Sequence, residues 1–299
     1  MRLTRRSSCA GALALAATLL LAGPSWGVIL YPDADLGVPA GLDPNVVGRW
    51  GTNASCVVIG SQYVISTRHQ GNNHGPIVVG GVSYAIDSNF IFTLNEPNRV
   101  DLQILWLPGA GFTQYVNIAT TLNFSSPVVI GGYGQGRGST LYFDNDSNIP
   151  FGYNWDGSPN TTLRWGQNKV EGLTYVANSV DGLYSKGLYD RFDANGTANY
   201  VANEAALGNY DSGSGWFQKD ANGRWTLVGL GCSVDSHHEF GSSWFMDPND
   251  PGYGGDYNSA VRIYGYTTWI NSVIPEPATL ALLGLGAVAL IRRRRSRRG

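Results

Sequence analysis

The chain has 299 residues and a formal net charge of −2, but this charge is unevenly distributed. Both ends are rich in arginine, whereas residues 28–274 hold 11 basic and 21 acidic residues, a formal charge of −10. An acidic body argues against nucleic acid or an anionic membrane surface as a partner. Its length is that of one domain.

The first 27 residues have the pattern of a secretory signal peptide. Three arginines in the first six residues precede an apolar run, Ala10–Ala22, and Ser25–Gly27 supplies a small-x-small cleavage site. An uncleaved anchor helix is the alternative, and the shortness of the apolar run argues against it. The sequence therefore predicts export through the Sec machinery and a mature body that begins at Val28.

The body alternates short apolar and polar runs and predicts an all-β fold. Val, Ile, Tyr and Trp dominate these runs, and Gly, Asn, Asp and Pro separate them. Asn258–Val273 predicts a closing strand that leads into a short helix. Asp144–Thr162 and Asp247–Tyr257 are predicted to be surface loops. Gly131–Gly138 fits neither a dinucleotide fingerprint nor a Walker loop, so a turn between strands is favoured.

Three residues, each at the edge of a predicted strand or in a glycine-rich turn, have the chemistry of a nucleophilic site. A serine hydroxyl becomes a good nucleophile when an imidazole takes its proton and a buried carboxylate orients the imidazole. His69 ends one apolar run, Asp101 begins another, and Ser212 is flanked by Asp211 and Gly213. We expect His69 to act as general base and acid, Asp101 to orient it, and Ser212 to attack. The alternative to His69 is His74, the alternatives to Asp101 are Asp87 and Glu96, and the alternative to Ser212 is Ser214.

The order His, Asp, Ser is that of chymotrypsin-type enzymes, and other segments support the likeness. Cys56–His69 resembles the strands before the family's histidine, Ile130–Gly134 its Gly-Trp-Gly turn, and Tyr210–Gly213 its Gly-Asp-Ser-Gly signature. Arg224–Gly231 is similar to the strand that lines the cleft, and Tyr266–Ile270 to the closing helix. The body thus resembles the trypsin-like serine protease family over about residues 45–274. The resemblance implies two packed six-stranded β-barrels of the trypsin-like type with a short C-terminal helix.

The resemblance also implies roles for further residues. The amides of Tyr210 and Ser212 would form the oxyanion hole, with Tyr210 standing where the family usually has glycine. Asp211 would pair with a new amino terminus at Val28. The specificity pocket would be lined by Ala206, Gly231, Cys232, Ser233 and Val234. Because Ala206 stands where trypsins carry an acid, a basic substrate side chain is not expected to be preferred.

Two cysteines remain once the signal peptide is removed. In the family, the strands that carry Cys56 and Cys232 both run behind the serine, so the resemblance makes a disulfide between them possible. Two buried free thiols are the alternative. His237-His238-Glu239 lacks a third ligand at useful spacing, so no metal is expected, and no cofactor is expected either.

Residues 275–299 form a second processing signal. Pro275-Glu276-Pro277 is followed by a short apolar segment, Ala278–Ile291, and an arginine cluster. This tail resembles the PEP-CTERM sorting signal of Gram-negative bacteria, which an exosortase recognises. It implies transient anchoring in the inner membrane, cleavage near the Pro-Glu-Pro motif, and delivery to the cell surface or extracellular matrix. An ordinary tail anchor is the alternative.

These observations together predict an exported serine endopeptidase that acts on a protein or peptide through an acyl-enzyme. The alternative is a catalytically weak or inactive protease-fold matrix protein that binds extracellular polysaccharide or protein. Tyr210 and Arg68, which depart from the family pattern, motivate this alternative, as does the abundance of Trp, Tyr and Asn.

Overall fold

The computed structural model describes residues 27–31, 35–71, 75–95, 97–143, 146–157, 161–235, 241–246 and 255–274. Most of the predicted signal peptide, His74, Glu96, residues 237–239 and the C-terminal tail lie outside the described residues. Within the described ranges, no helix has both the length and the apolar character needed to span a membrane.

The first part of the body is a single antiparallel sheet. The first eight strands of the chain are β1 (Ile29–Tyr31), β2 (Val47–Trp50), β3 (Ala54–Gly60), β4 (Tyr63–Ser66), β5 (Ile77–Val79), β6 (Val82–Tyr84), β7 (Ile91–Thr93) and β8 (Gln103–Trp106). Strands β2 to β8 form a seven-stranded sheet in the order β6-β5-β2-β3-β4-β8-β7. Consecutive strands pair through short turns, as the alternating apolar runs predict.

The second part holds two sheets. Its strands are β9 (Asn117–Ile118), β10 (Val128–Gly132), β11 (Arg137–Phe143), β12 (Asp146–Trp155), β13 (Arg164–Asn168), β14 (Gly172–Asn178), β15 (Leu183–Arg191), β16 (Glu204–Ala206), β17 (Gly215–Lys219), β18 (Trp225–Asp235), β19 (Ser242–Trp244) and β20 (Tyr257–Arg262). A ten-stranded sheet runs β1-β16-β13-β10-β17-β18-β20-β15-β14, with β9 beside β18, and β11-β12-β19 form a third sheet.

The prediction of an all-β body with a short C-terminal helix is confirmed, but the count of six strands in each half is not met. The large sheets have seven and ten strands among the described residues. The second is larger because the hairpin β14–β15 and the short strands β1 and β9 add to it. The helix, α1 (Thr267–Val273), follows β20 as predicted.

The two large sheets share one apolar core. Val57, Ile65 and Ile104 from the first sheet pack in the same buried cluster as Phe217 and Leu230 from the second. Burying this apolar surface stabilises the fold by roughly 25 cal/mol per Å². The core fixes the two sheets against each other, so loops from opposite sheets meet in a defined geometry.

The third sheet is attached through aromatic side chains. Tyr153 of β12 packs in a buried cluster with Phe192 and Phe245. The ring centroids of Tyr153 and Phe245 are 5.4 Å apart. The prediction of a surface loop over Asp144–Thr162 is therefore wrong for β12. A signal was present, since Phe151, Tyr153 and Trp155 follow the two-residue period of a strand.

Candidate active site

His69 lies on a short 3-10 turn that follows β4, at the junction of the two large sheets. Its ring Nδ1 is 2.7 Å from Asp101 Oδ2, and its backbone N–H donates to Asp101 Oδ1 at 2.8 Å. Both carboxylate oxygens therefore hold the same residue. This arrangement orients the ring and favours the tautomer with the proton on Nδ1.

Asp101 is fixed by a hydrogen bond from its backbone N–H as well as by its side-chain contacts with His69. It is only 3% exposed, and its N–H donates to Ser185 Oγ of β15 at 2.8 Å. The side chain of Gln103, two residues later, donates to the carbonyl of Thr67 at 2.7 Å. The segment that carries Asp101 is therefore tied both to the second sheet and to the turn that carries His69.

Ser212 completes the contact from the second sheet. Its Oγ is 2.9 Å from His69 Nε2, so the structure brings together the three residues that the sequence singled out. The competitor Ser214 is fully buried. Asp87 instead caps a 3-10 turn, where its carboxylate accepts the N–H of Asn89 at 2.9 Å.

One neighbour of the histidine was not assigned a role from the sequence. The side-chain nitrogen of Gln70 lies 2.8 Å from His69 Nε2, the same atom that faces Ser212. With the proton on Nδ1, Nε2 is an acceptor, so the Gln70 amide and the Ser212 hydroxyl compete for one lone pair. Gln70 therefore occupies part of the hydrogen-bonding capacity that the serine needs.

The loop around Ser212 has the backbone of a glycine-rich turn. Tyr210 has φ of 73° and Gly213 has φ of 84°, so Tyr210 adopts the left-handed conformation that favours glycine. The loop is fixed because Ser55 N–H donates to the Ser212 carbonyl and Gly213 N–H donates to the Gly231 carbonyl, both at 2.8 Å. Among the described residues, the amides of Tyr210 and Ser212 have no protein acceptor, which leaves them available to a ligand.

Asp211 points away from the histidine into a buried pocket of backbone donors. Its carboxylate accepts the N–H groups of Gly208 and Gly134, each at 2.8 Å, and that of Val28. Burial raises the pKa of Asp211 to about 7, although these hydrogen bonds act in the opposite direction. Gly134 is needed here because a Cβ would collide with the carboxylate.

The amino-terminal segment reaches the same pocket. Val28 is buried and precedes β1, which pairs with β16. The Gly131–Gly138 stretch links β10 to β11 and contributes two glycines that contact Asp211. It therefore connects strands and makes room for a carboxylate.

A cavity of about 210 Å³ lies beside Ser212. Of the predicted lining residues, Cys232, Ser233 and Val234 line it. Ala206 and Gly231 are absent from the lining. Ala206 pairs with Ile29 and packs in the aromatic cluster, while Gly231 is packed against the backbone and side chain of Ser214.

The sequence analysis did not identify four other residues that line this cavity, Trp155, Leu207, Gly208 and Asn209. Leu207 directly follows Ala206 in the chain, so the predicted position differs by one residue from the one that lines the cavity. Trp155 comes from the third sheet, and its Nε1 donates to Ser243 Oγ at 2.8 Å. Within the part of the chain that the structure describes, the lining carries no basic residue, and its one acid, Asp211, is buried among backbone donors.

Cys56 and Cys232 are both free, so the disulfide is not formed. The two thiols belong to separate core clusters, and Cys232 Sγ contacts the carbonyl of Ser259 at 3.2 Å. Burial raises the pKa of Cys56 to about 12, and burial followed by the nearby Asp101 charge raises that of Cys232. The alternative of two buried thiols is the one observed.

Comparisons with known proteins identify the tail and the fold. The PEP-CTERM protein-sorting motif matches residues 273–295. Neuropsin, a serine protease expressed in the limbic system of mouse brain, superposes with a TM-score of 0.50 at 13% identity, over 78% of this chain and 96% of that one. An inactive form of a serine-to-alanine mutant of Rv3671c from M. tuberculosis H37Rv gives 0.45 at 13% identity, over 78% and 90%. The curated proteins contain no match.

The body therefore has the fold of trypsin-like serine proteases, and its C-terminus carries a PEP-CTERM sorting signal. Such a signal is recognised by an exosortase and indicates export and sorting to the cell surface or the extracellular space.

Proposed function

We propose that this chain is an exported serine endopeptidase with His69, Asp101 and Ser212 as its catalytic residues. The observation that carries the proposal is the continuous contact from Asp101 Oδ2 through both ring nitrogens of His69 to Ser212 Oγ, at 2.7 and 2.9 Å. These distances are within the range needed for proton transfer between a base and a nucleophile.

The reaction follows from this geometry. Ser212 Oγ attacks the peptide carbonyl while His69 Nε2 takes its proton, and Asp101 stabilises the imidazolium that forms. The amides of Tyr210 and Ser212 donate to the oxyanion. The imidazolium then protonates the leaving amine, and water hydrolyses the acyl-enzyme by the same route in reverse.

Reaction with a fluorophosphonate probe tests the proposal. We expect the residue 28–274 body to be labelled and Ser212→Ala to lose all labelling. The matched control is Ser214→Ala, which removes the neighbouring buried hydroxyl and should remain labelled. Labelling that persists in Ser212→Ala, or is lost only in Ser214→Ala, contradicts the assignment of the nucleophile.

The cavity beside Ser212 supports a preference for an uncharged side chain. Leu207, Cys232 and Val234 give it an apolar wall, and Trp155 limits its size. We propose that it takes a medium-sized apolar residue on the acyl side of the cleaved bond. Cleavage of a peptide library should show such residues before the cut, and a preference for Arg or Lys would contradict this.

We further propose that removal of a signal peptide after Gly27 completes the site. Val28 N–H already donates to the buried Asp211 carboxylate, so cleavage at this bond would replace an amide with an ammonium group. An ammonium would neutralise a carboxylate whose pKa is raised by burial. Export through the Sec pathway would then activate the enzyme, and the C-terminal tail would hold it briefly at the inner membrane before exosortase cleavage.

A second candidate function is binding of extracellular polysaccharide without turnover. A groove of about 700 Å³ lies between α1 and the β14–β15 hairpin. It is lined by Tyr175 and Tyr184, which stack with ring centroids 5.0 Å apart, and by Trp269. Exposed aromatic faces of this kind suit sugar rings. Binding of polysaccharide by a body that fails to react with the probe would favour this candidate.

A further inference from the structure

Two arginines share a cleft outside the proposed catalytic site. Arg68 and Arg99 both line a cavity of about 420 Å³ between β7 and the tip of the β14–β15 hairpin. Burial, and then the charge of Arg99, lower the pKa of Arg68, whereas Asp101 raises it. Two cationic groups therefore lie close enough to repel each other, on a body whose formal charge is −10.

Neither guanidinium has a carboxylate partner among the described residues. Arg68 Nη1 donates to Asn95 Oδ1 at 2.8 Å, and Arg99 Nη1 donates to the carbonyl of Asp181 at 2.7 Å. By contrast, Arg224 forms an ion pair with Asp220 at 2.8 Å. Charge-neutral oxygens thus position Arg68 and Arg99 without cancelling their charge, and several of their N–H groups remain for a ligand.

Most of the remaining side chains of the cleft are polar, although Ile91 and Leu183 also line it. Ser88 and Thr93 contribute hydroxyl groups and Gln103 contributes an amide. Among the described residues, the one acid in the wall is Asp181, whose Oδ2 accepts the side-chain N–H of Asn178 at 2.9 Å. Planar guanidinium groups beside hydroxyl donors are the arrangement that binds oxyanions.

We propose that this cleft binds an oxyanion of the phosphate or sulfate class, held between Arg68 and Arg99. Arg68 is the residue before His69, and Arg99 is two residues before Asp101. The ligand would therefore fix the two segments of the first sheet that carry these residues, next to the hairpin of the second sheet. The proposal that an oxyanion binds here does not depend on the proposed peptidase activity.

Thermal unfolding of the full chain in a non-ionic detergent tests the proposal. Inorganic phosphate is titrated against sodium chloride at constant ionic strength. We expect a saturable rise in Tm, because a ligand that binds only the folded state stabilises it. Arg68→Gln and Arg99→Gln should each weaken the apparent affinity about tenfold or more, since each loses charge-assisted hydrogen bonds. Arg224→Gln is the matched control and should bind like the wild type.

Two further arms make the outcome decisive. Dextran sulfate, with uncharged dextran as its control, tests whether the natural ligand is a free ion or an oxyanion carried on a polymer. If dextran sulfate binds but inorganic phosphate and uncharged dextran do not, the ligand is a polymer that carries the oxyanion. Arg68→Lys and Arg99→Lys keep the charge if the glutamine variants fail to fold, and they should still lose several-fold in affinity because the planar fork is gone. A rise in Tm that does not saturate, or is equal in all variants, overturns the proposal, as does binding of neither probe.

Discussion

Two buried aspartates near Ser212, Asp101 and Asp211, show what the same side chain does in two surroundings. Asp101 faces a titratable partner, and both of its oxygens contact His69. Among the described residues, the Asp211 carboxylate accepts hydrogen bonds from backbone N–H groups alone, those of Gly208, Gly134 and Val28. In the proposed reaction, the first carboxylate would stabilise the imidazolium that forms on His69. The second lies at a position where a permanent positive charge would offset the free-energy cost of burying its negative charge.

The largest effect should come from Asp101. In Asp101→Asn the amide would donate to Nδ1 and leave the proton on Nε2, so His69 could not accept the Ser212 proton. We expect kcat/KM for a peptide substrate to fall about 10³- to 10⁴-fold. The control is Asp87→Asn, the other aspartate near this part of the chain, which should keep its activity. Equal losses in the two variants would contradict the role of Asp101.

The second effect concerns Asp211 and the amino terminus. The pKa of the Asp211 carboxyl, about 7, lies above the value of 3.8 expected in an unfolded chain. The folded state therefore holds a proton that the unfolded state has released, and stability is lost as pH rises from about 4 to 7. The loss is on the order of 4 kcal/mol for a chain that keeps Ser25–Gly27. A chain that begins at Val28 should not show it, because its ammonium group pairs with the carboxylate.

Urea unfolding of these two chains at pH 4.5 and pH 7.5 measures this difference. Asp211→Asn in the longer chain is the control, because it removes the titrating group and should flatten the pH dependence. Parallel pH profiles for the longer chain and the chain that begins at Val28 would show that the amine does not reach Asp211.

Tyr210 offers a smaller effect on the same loop. A non-glycine residue with φ of 73° costs about 1–2 kcal/mol. Tyr210→Gly should raise the free energy of unfolding by about 1 kcal/mol, somewhat less than the strain because glycine gains freedom in the unfolded chain. Tyr210→Ala keeps the Cβ and should not gain stability. Equal stability of the glycine and alanine variants would show that the backbone is not strained.

The smallest effect is expected at Gln70. Because its amide competes with Ser212 for His69 Nε2, Gln70→Ala should raise the rate of fluorophosphonate labelling about two- to tenfold, the range of one hydrogen bond. Gln62→Ala, which removes a side chain that contacts Trp106, is the control and should leave the rate unchanged. A lower rate in Gln70→Ala would mean that the amide positions the histidine instead.

The sequence predicted the all-β fold and the three residues that meet at the site, because each lies at a strand end or a tight turn whose pattern is local. It did not predict the neighbours that come from distant parts of the chain. Trp155 reaches the cavity only because β12 pairs with β11 and β19. The left-handed conformation of Tyr210 did have a signal, because this residue stands where the resembled family usually has glycine, but its φ of 73° belongs to a loop whose next residues are held by Ser55 and Gly231.

Gly27 is the residue at which the proposed signal cleavage and the packing of the folded body meet. A Cβ at this position would collide with the carbonyl of Gly132 and lie 2.8 Å from that of Thr162. A signal peptidase also requires a small residue directly before the bond it cuts. In a chain that has not been processed, a larger residue here would displace Val28 from the pocket that holds the Asp211 carboxylate. Under the proposed cleavage after Gly27 it would also hinder the cut, so packing and processing favour the same amino acid.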